Sequence, residues 1–140
     1  MKSVLISLIC SISVLSLKIK WHKKMKSCII IANGDSPKRG IIKYLLKNGA
    51  ESIIAADGGA NTSFKLGIVP DFIIGDFDSV KPKVKKYFAD KSELIHIERQ
   101  DDTDVEKALK FAIEKQYKTV YLLGGTGDRL VIIRSHAVCD

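Results

Sequence analysis

The segment FIIGDFDS, residues 72–79, decides the fold. Its apolar first half lies between Pro70 and Gly75, which predicts a short strand buried inside a sheet. Two carboxylates, Asp76 and Asp78, follow just beyond the carboxyl end of that strand. Residues two apart in an extended backbone point to the same face about 7 Å apart, which suits a divalent cation that also binds phosphate oxygens. An Asp-rich turn, in which each side chain bonds its own backbone, is the alternative interpretation.

Other apolar runs alternate with helix signals along the chain. The runs lie at residues 28–32, 52–56, 94–97 and 120–123. Helix signals between them include Ser-Pro at residues 36–37, Pro at residue 82 and a Thr-x-x-Glu capping box at residues 103–106. Strands that alternate with helices through short links form a parallel sheet with right-handed crossovers. We therefore predict an α/β fold: a Rossmann-like open parallel sheet in three layers.

Carboxylates and glycines are concentrated in the segments that follow these strands. Loops after parallel strands lie at one edge of the sheet, where open α/β folds bind their ligands. Helix capping explains some of the acids, Asp35 and Asp102 most readily. The others repel one another unless a cation lies among them, and Gly-rich loops let backbone N–H groups approach phosphates. We therefore predict a Mg²⁺-nucleotide site at this edge. The acids are Asp35, Asp57, Asp76, Asp78, Asp101, Asp102, Asp104 and Asp128.

The charge distribution argues against a nucleic-acid-binding protein. Residues 1–24 hold five lysines and no acid, so they supply +5 of the net charge of +7. The remainder carries only +2 and has no basic surface interleaved with aromatic residues, so no nucleic-acid partner is expected. The three cysteines are odd in number and have no metal-ligand spacing, which fits a reducing compartment with buried or incidental thiols, so we expect a cytoplasmic protein.

Residues 1–24 form an apolar leader followed by a basic flank. A signal peptide or signal anchor is one interpretation. The apolar part is short for a bilayer span, and the basic flank favours the cytoplasmic side. Because Met25-Lys26-Ser27 repeats the opening Met1-Lys2-Ser3, we expect the folded domain to begin near Met25 and the leader to be an extension, with no membrane partner.

Five segments together resemble the thiamine pyrophosphokinase family and occur in the family's order. The resemblance implies transfer of a pyrophosphoryl group from ATP to the hydroxyethyl oxygen of thiamine, giving thiamine diphosphate and AMP. It also implies Mg²⁺, ATP as co-substrate, and a homodimer with active sites between subunits. The segments are residues 32–34 (ANG), 56–61 (ADGGAN), 70–79 (PDFIIGDFDS), 100–104 (QDDTD) and 123–129 (LGGTGDR).

The resemblance also assigns roles to particular residues. It implies that Asp76 and Asp78 bind the metal, with Asp104 or Asp101 as a further ligand, and that these four acids form the catalytic group. Which acid accepts the hydroxyl proton is left open. The residues expected beside the nucleotide are Asp57, Gly58, Asn61, Gln100, Thr103, Gly124, Gly125, Thr126 and Arg129.

The likeness ends abruptly after Arg129. The family continues with an Asp-His pair that helps to hold thiamine, whereas this chain continues with the apolar run 130–133. We therefore expect an ATP- and Mg²⁺-binding catalytic domain at residues 25–129 and a divergent tail at 130–140, with the family's C-terminal β-sandwich domain missing. A shifted reading frame and a genuine end are both open, as is the activity of this form.

Three other functions remain as alternatives. A related pyrophosphokinase acting on another alcohol, such as a pterin, uses the same site. A non-catalytic nucleotide-binding remnant keeps the fold without the reaction. A sugar-nucleotide transferase uses an Asp-x-Asp pair, but it leaves residues 100–104 and 124–127 unexplained.

Overall fold

A computed structural model describes residues 25–98, 101–125, 127 and 129–134. Six strands and four helices lie within these residues. In chain order they are β1 (Ser27–Ile31), α1 (Arg39–Lys47), β2 (Ser52–Ala56), α2 (Gly59–Lys65), β3 (Phe72–Gly75), α3 (Pro82–Phe88), β4 (Glu93–His96), α4 (Asp104–Glu114), β5 (Thr119–Leu123) and β6 (Leu130–Arg134). The leader at residues 1–24 is outside the described residues. No helix in the described part of the chain is long and apolar enough to cross a membrane.

The strands form a single sheet in the order β4-β3-β2-β1-β5-β6. The five strands predicted from the apolar runs are present, and each pair of neighbours among them is parallel. Strand β1 is central, with Ile30 paired to Ile54 of β2 on one side and to Leu122 of β5 on the other. The chain therefore builds outward from β1 in one direction and then returns to its other side.

Strand β6 makes the sheet mixed rather than wholly parallel. It runs antiparallel to β5 over the full length of both strands, from Leu123 opposite Leu130 to Thr119 opposite Arg134. We predicted a parallel sheet and left residues 130–140 as a tail without assigned structure. The run LVIIR is rich in β-branched residues, and Val131 and Ile133 pack against the core on alternate positions. Residues 135–140 are outside the described residues.

Helices cover both faces of the sheet, as the three-layer prediction requires. Alternate residues of β1 point to opposite faces. Cys28 and Ile30 pack in the cluster that contains Phe111 of α4. Ile29 and Ile31 pack in the cluster that contains α1. Among the helices of the described residues, α4 alone covers its face, and it carries the chain from β4 back across the sheet to β5.

The predicted capping box fixes the start of α4. The Thr103 Oγ1 accepts a hydrogen bond from the Glu106 backbone N–H at 3.2 Å, and the Glu106 carboxylate accepts one from the Thr103 N–H at 2.7 Å. Two N–H groups at the helix start are thereby satisfied. This cap sets the direction of the first helical turn, which carries Asp104 and Lys107.

Candidate functional site

Three carboxylates from three different segments meet at the carboxyl edge of the sheet. Asp57 follows β2, Asp76 follows β3 and Asp104 is the first residue of α4. One carboxylate oxygen from each lies within 4.8 Å of the others. We call these three residues the acidic trio. Parallel strands end at the same edge, and this brings together residues that are distant in sequence.

Asp57 is the buried member of the trio. Its side chain is 1% exposed, and its backbone has a φ of 44°. Its Oδ2 accepts a hydrogen bond from the Ser79 N–H at 3.0 Å. Its Oδ1 is buried and accepts no hydrogen bond from the described residues. A buried acceptor without a partner costs about 1–3 kcal/mol, so this oxygen is suited to a ligand.

Asp76 is held by the turn that follows β3. Its Oδ1 accepts a hydrogen bond from the Asp78 backbone N–H at 3.0 Å. This N–H is the main reason that the pKa of Asp76 lies below its ordinary value, and the charge of Lys107 lowers it further. Asp76 therefore stays ionised in mildly acidic solution.

Asp78 is exposed to solvent and is not one of the three carboxylates that lie together. The same-face geometry expected for Asp76 and Asp78 requires an extended backbone. The intervening Phe77 instead has a φ of 67°, so the chain turns between the two acids. The predicted role of Asp78 as a metal ligand stays a prediction.

Asp104 and Lys107 form an ion pair on the first turn of α4. The Lys107 Nζ lies 3.6 Å from the Asp104 Oδ1, and the lysine side chain is only 4% exposed. The pKa of Asp104 is raised, chiefly by burial and then by the charge of Asp57, while Lys107 opposes the rise. Lys107 was not predicted as a site residue, although its position three residues after Asp104 on a helix was a signal that the two side chains meet.

Asn61 connects the two loops that carry Asp57 and Asp76. Its Nδ2 donates to the Ser79 carbonyl at 2.7 Å, and its Oδ1 accepts from the Lys81 N–H at 3.0 Å. We expected Asn61 beside the nucleotide. In the structure both ends of its amide hold the loop after β3, so its nucleotide contact stays a prediction.

A crevice of about 240 Å³ lies next to the trio, between the ends of β1 and β5. We call it the β1–β5 crevice. A Cβ at residue 34 would collide with the carbonyl of Gly124, so the two loops meet backbone to backbone. The strand order reverses at β1, because β2 lies on one side of it and β5 on the other. Open α/β sheets bind ligands at the point where the strand order reverses. The lining residues are Ala32, Asn33, Gly34, Ala56, Thr103, Asp104, Val105, Gly124 and Gly125.

The remaining predicted residues are placed as follows. Gly58 is buried at the start of α2, and Asp101 and Arg129 are exposed. Thr103, Gly124 and Gly125 line the crevice. Gln100 and Thr126 are outside the described residues. The roles assigned to all of these residues stay predictions.

A known protein family matches the part of the chain that contains the site. The model of the family "Thiamin pyrophosphokinase, catalytic domain" matches residues 43–131. The chain belongs to the thiamin pyrophosphokinase family. The match includes all three members of the acidic trio, and it ends within β6.

Named relatives agree with this membership. The thiamine pyrophosphokinase of Bacillus subtilis is 33% identical over 78 residues, which cover 54% of this chain and 36% of the relative. Thiamine pyrophosphokinase 3 of Oryza sativa is 33% identical over 103 residues, covering 57% of this chain and 39% of the relative. The chain thus spans well under half the length of these curated relatives.

Solved structures show the same fold. A crystal structure of thiamine pyrophosphokinase from Bacillus subtilis superposes with a TM-score of 0.57 at 29% identity, covering 74% of this chain and 49% of that one. Thiamin pyrophosphokinase from Candida albicans superposes with a TM-score of 0.60 at 24% identity, covering 75% of this chain and 49% of that one. The α/β sheet with its helices is therefore the fold of this family's catalytic domain.

Proposed function

We propose that this chain carries the ATP- and Mg²⁺-binding part of a thiamine pyrophosphokinase. The proposed reaction transfers a pyrophosphoryl group from ATP to the hydroxyethyl oxygen of thiamine, and it yields thiamine diphosphate and AMP. Family membership supports the reaction class, and the names of the relatives support thiamine as the acceptor. A Rossmann-like binding mode, with nucleotide at the carboxyl edge of the sheet, agrees with the position of the crevice.

The observation that carries the proposal is the unpaired Oδ1 of Asp57. This oxygen is buried beside two other carboxylates, and no donor among the described residues reaches it. Three carboxylate oxygens are the hard ligands that Mg²⁺ prefers, with phosphate oxygens and water completing an octahedral shell. The trio therefore fits Mg²⁺. When bound, Mg²⁺ neutralises charge that develops on the transferred phosphates.

The chain's own residues provide a rigid site for this chemistry. Asp57 is fixed by the Ser79 N–H, Asp76 by the Asp78 N–H, and Asp104 by its place on the first turn of a capped helix. Such fixed groups need little reorganisation when a charged substrate binds, which is the main source of rate in phosphoryl-type transfer. We propose Asp57, Asp76 and Asp104 as the metal ligands, with the exposed Asp78 and Asp101 as groups that can join once the substrate is in place.

We propose that the polyphosphate and ribose occupy the β1–β5 crevice. Backbone loops that meet without side chains allow a phosphate chain to approach the N–H groups of residues 124 and 125. The helix start at Thr103 and Asp104 borders the same crevice, so a nucleotide there contacts the trio through its phosphates. A homodimer and a cytoplasmic location complete the proposal, and light scattering on the purified protein tests the dimer.

The first experiment measures binding rather than turnover. Calorimetric titration of the purified chain with ATP in the presence of Mg²⁺ is expected to show binding that EDTA abolishes. Asp57→Asn and Asp76→Asn are expected to weaken binding at least tenfold, since each removes a ligand charge. Asp90→Asn is the matched control, because Asp90 is an exposed acid that follows the C-terminal end of α3 and is not a member of the trio. Unchanged binding by Asp57→Asn would place the nucleotide elsewhere and sink the proposal.

The second experiment separates the possible acceptors. The chain is incubated with ATP, Mg²⁺ and thiamine, and AMP and thiamine diphosphate are measured by chromatography. Formation of both products supports the proposed reaction. AMP formed only with a hydroxymethyl pterin instead of thiamine indicates the related pyrophosphokinase. Nucleotide binding without AMP release in any form of the protein indicates the non-catalytic module.

A further inference from the structure

Lys107 is a buried, charged residue that has no role in the proposed reaction as described above. Its side chain is 4% exposed, and its Nζ lies 3.6 Å from the Asp104 Oδ1. The charge also acts on Asp76, where it favours the ionised carboxylate. A buried lysine is rare unless it is paired, so its position beside two members of the trio requires an explanation.

The formal charges of the trio and of Lys107 together amount to two negative charges, which one divalent cation neutralises. The three carboxylates carry three negative charges, and Lys107 reduces the total to two. Before any metal binds, the ammonium offsets the repulsion among the carboxylates. When a metal binds alone, the same ammonium repels it, because the Lys107 Nζ lies only 3.6 Å from the Asp104 Oδ1. Lys107 therefore stabilises the metal-free trio and opposes the free ion.

The charge of Lys107 has the opposite effect on the binding of a nucleotide. ATP brings several negative charges to the trio together with its own Mg²⁺. Lys107 is not among the residues that line the β1–β5 crevice, so the phosphates attract its ammonium through space while the Mg²⁺ binds the carboxylates. We propose that Lys107 is the resident counter-ion of the acidic trio, a positioning residue that makes the site select the Mg²⁺-nucleotide complex over the free divalent ion. This inference rests on the proposed function, because it assumes that the trio binds the metal.

The neighbouring lysine on the same helix provides a matched control. Lys110 lies three residues further along α4, pairs with Asp102 at 2.9 Å and is half exposed. Removing its charge changes the net charge of the protein by the same amount without touching the trio. Any general effect of losing a lysine from α4 should therefore appear equally in Lys107→Met and in Lys110→Met.

The test compares two ligands on four proteins: the unaltered chain, Lys107→Met, Lys107→Arg and Lys110→Met. The first ligand is Mn²⁺ alone without nucleotide, and the second is ATP with saturating Mg²⁺, both titrated by calorimetry. Methionine retains the buried alkyl stem, so the fold should survive. Should it not, Lys107→Gln gives the same comparison.

Opposite shifts are the expected result. Lys107→Met should bind free Mn²⁺ about tenfold more tightly and the Mg²⁺-ATP complex about tenfold more weakly, since one charge acts with opposite sign on the two ligands. Lys107→Arg and Lys110→Met should match the unaltered chain with both. A purely structural lysine would weaken both ligands together, and that outcome overturns the inference, as does the absence of any shift.

The same data keep this inference distinct from the proposed function. If the unaltered chain binds neither Mn²⁺ nor the nucleotide complex, the metal site fails and the inference fails with it. If it binds both, and Asp57→Asn abolishes binding while Lys107→Met leaves both affinities unchanged, only the role of Lys107 is overturned. Thermal melts add a readout independent of nucleotide. The metal-free Lys107→Met protein should melt below the unaltered chain, and Mn²⁺ should raise its Tm by more.

Discussion

Gly75 lies directly against Asp57. The last residue of β3 has a φ of 147°, and a Cβ built there would lie 3.0 Å from the Asp57 Cβ and 3.1 Å from its Oδ1. The close approach of the two strand ends thus depends on the absence of a side chain at residue 75. Asp57 itself has a left-handed backbone, with a φ of 44°.

Replacing Gly75 with alanine should damage both stability and the site. The added methyl group meets Asp57, and the left-handed backbone is strained for any residue with a Cβ. We expect Gly75→Ala to lower the free energy of unfolding by about 1–3 kcal/mol and to weaken Mn²⁺ binding. Urea denaturation and calorimetry measure the two effects.

Gly40→Ala is the control for that substitution. Gly40 lies in α1, and a Cβ there meets nothing within 4 Å. Alanine should therefore raise the free energy of unfolding by up to about 0.5–1 kcal/mol and leave metal binding unchanged. Equal effects of the two substitutions would contradict the contact between Gly75 and Asp57.

Loss of the Thr103 side chain from the capping box should lower the free energy of unfolding. Thr103→Ala deletes the oxygen that accepts from the Glu106 N–H, and it should cost about 1 kcal/mol of unfolding free energy by urea denaturation. Lys38→Ala provides the comparison, because Lys38 precedes α1 in the same position without a side-chain cap and its replacement should be neutral.

Glu106, the partner of Thr103 in the capping box, should make the free energy of unfolding depend on pH. The backbone N–H of Thr103 holds the pKa of Glu106 below its ordinary value. The folded state thus binds this proton less tightly than the unfolded state, so the contribution of Glu106 to stability is present above the unfolded pKa and is lost as the pH falls through the folded one. The difference in unfolding free energy between the unaltered chain and Glu106→Gln should shrink on acidification below the ordinary glutamate pKa. A difference that grows in acid would contradict the hydrogen bond.

Cys28 should react only when the protein unfolds. It lies fully buried in β1, and burial raises the pKa of its thiol to about 12. The thiolate that attacks disulfide reagents is then almost absent at neutral pH. With Cys10→Ser and Cys139→Ser in place, labelling of Cys28 should be negligible in buffer and complete in denaturant. Rapid labelling in buffer would contradict the burial of Cys28 in the core.

The sequence was sufficient for the parallel part of the sheet because buried strands are continuous apolar runs. It was less informative about the site, since the group formed by Asp57, Asp76 and Asp104 depends on how the strand ends approach one another. We placed Asp57 beside the nucleotide, and its burial and left-handed backbone follow from packing that the sequence does not display. Lys107 was overlooked for the same reason, because a lysine on an amphipathic helix ordinarily faces solvent. Strand β6 was not predicted because residues 130–140 were treated as a divergent tail, although the run 130–133 is as apolar as the strands that were predicted.

The central position of β1 also has a consequence for the order in which the chain folds on the ribosome. Strands β2, β3 and β4 can pair beside it as they emerge, with α1 to α3 on one face. The other edge of β1 stays unpaired until β5 has been synthesised. The apolar face formed by Cys28, Ile30, Ile54 and Ile74 stays uncovered until α4 has been synthesised. A nascent chain that has reached only β4 therefore presents an open strand edge and an uncovered apolar face, which are the features that make partly folded chains prone to aggregation.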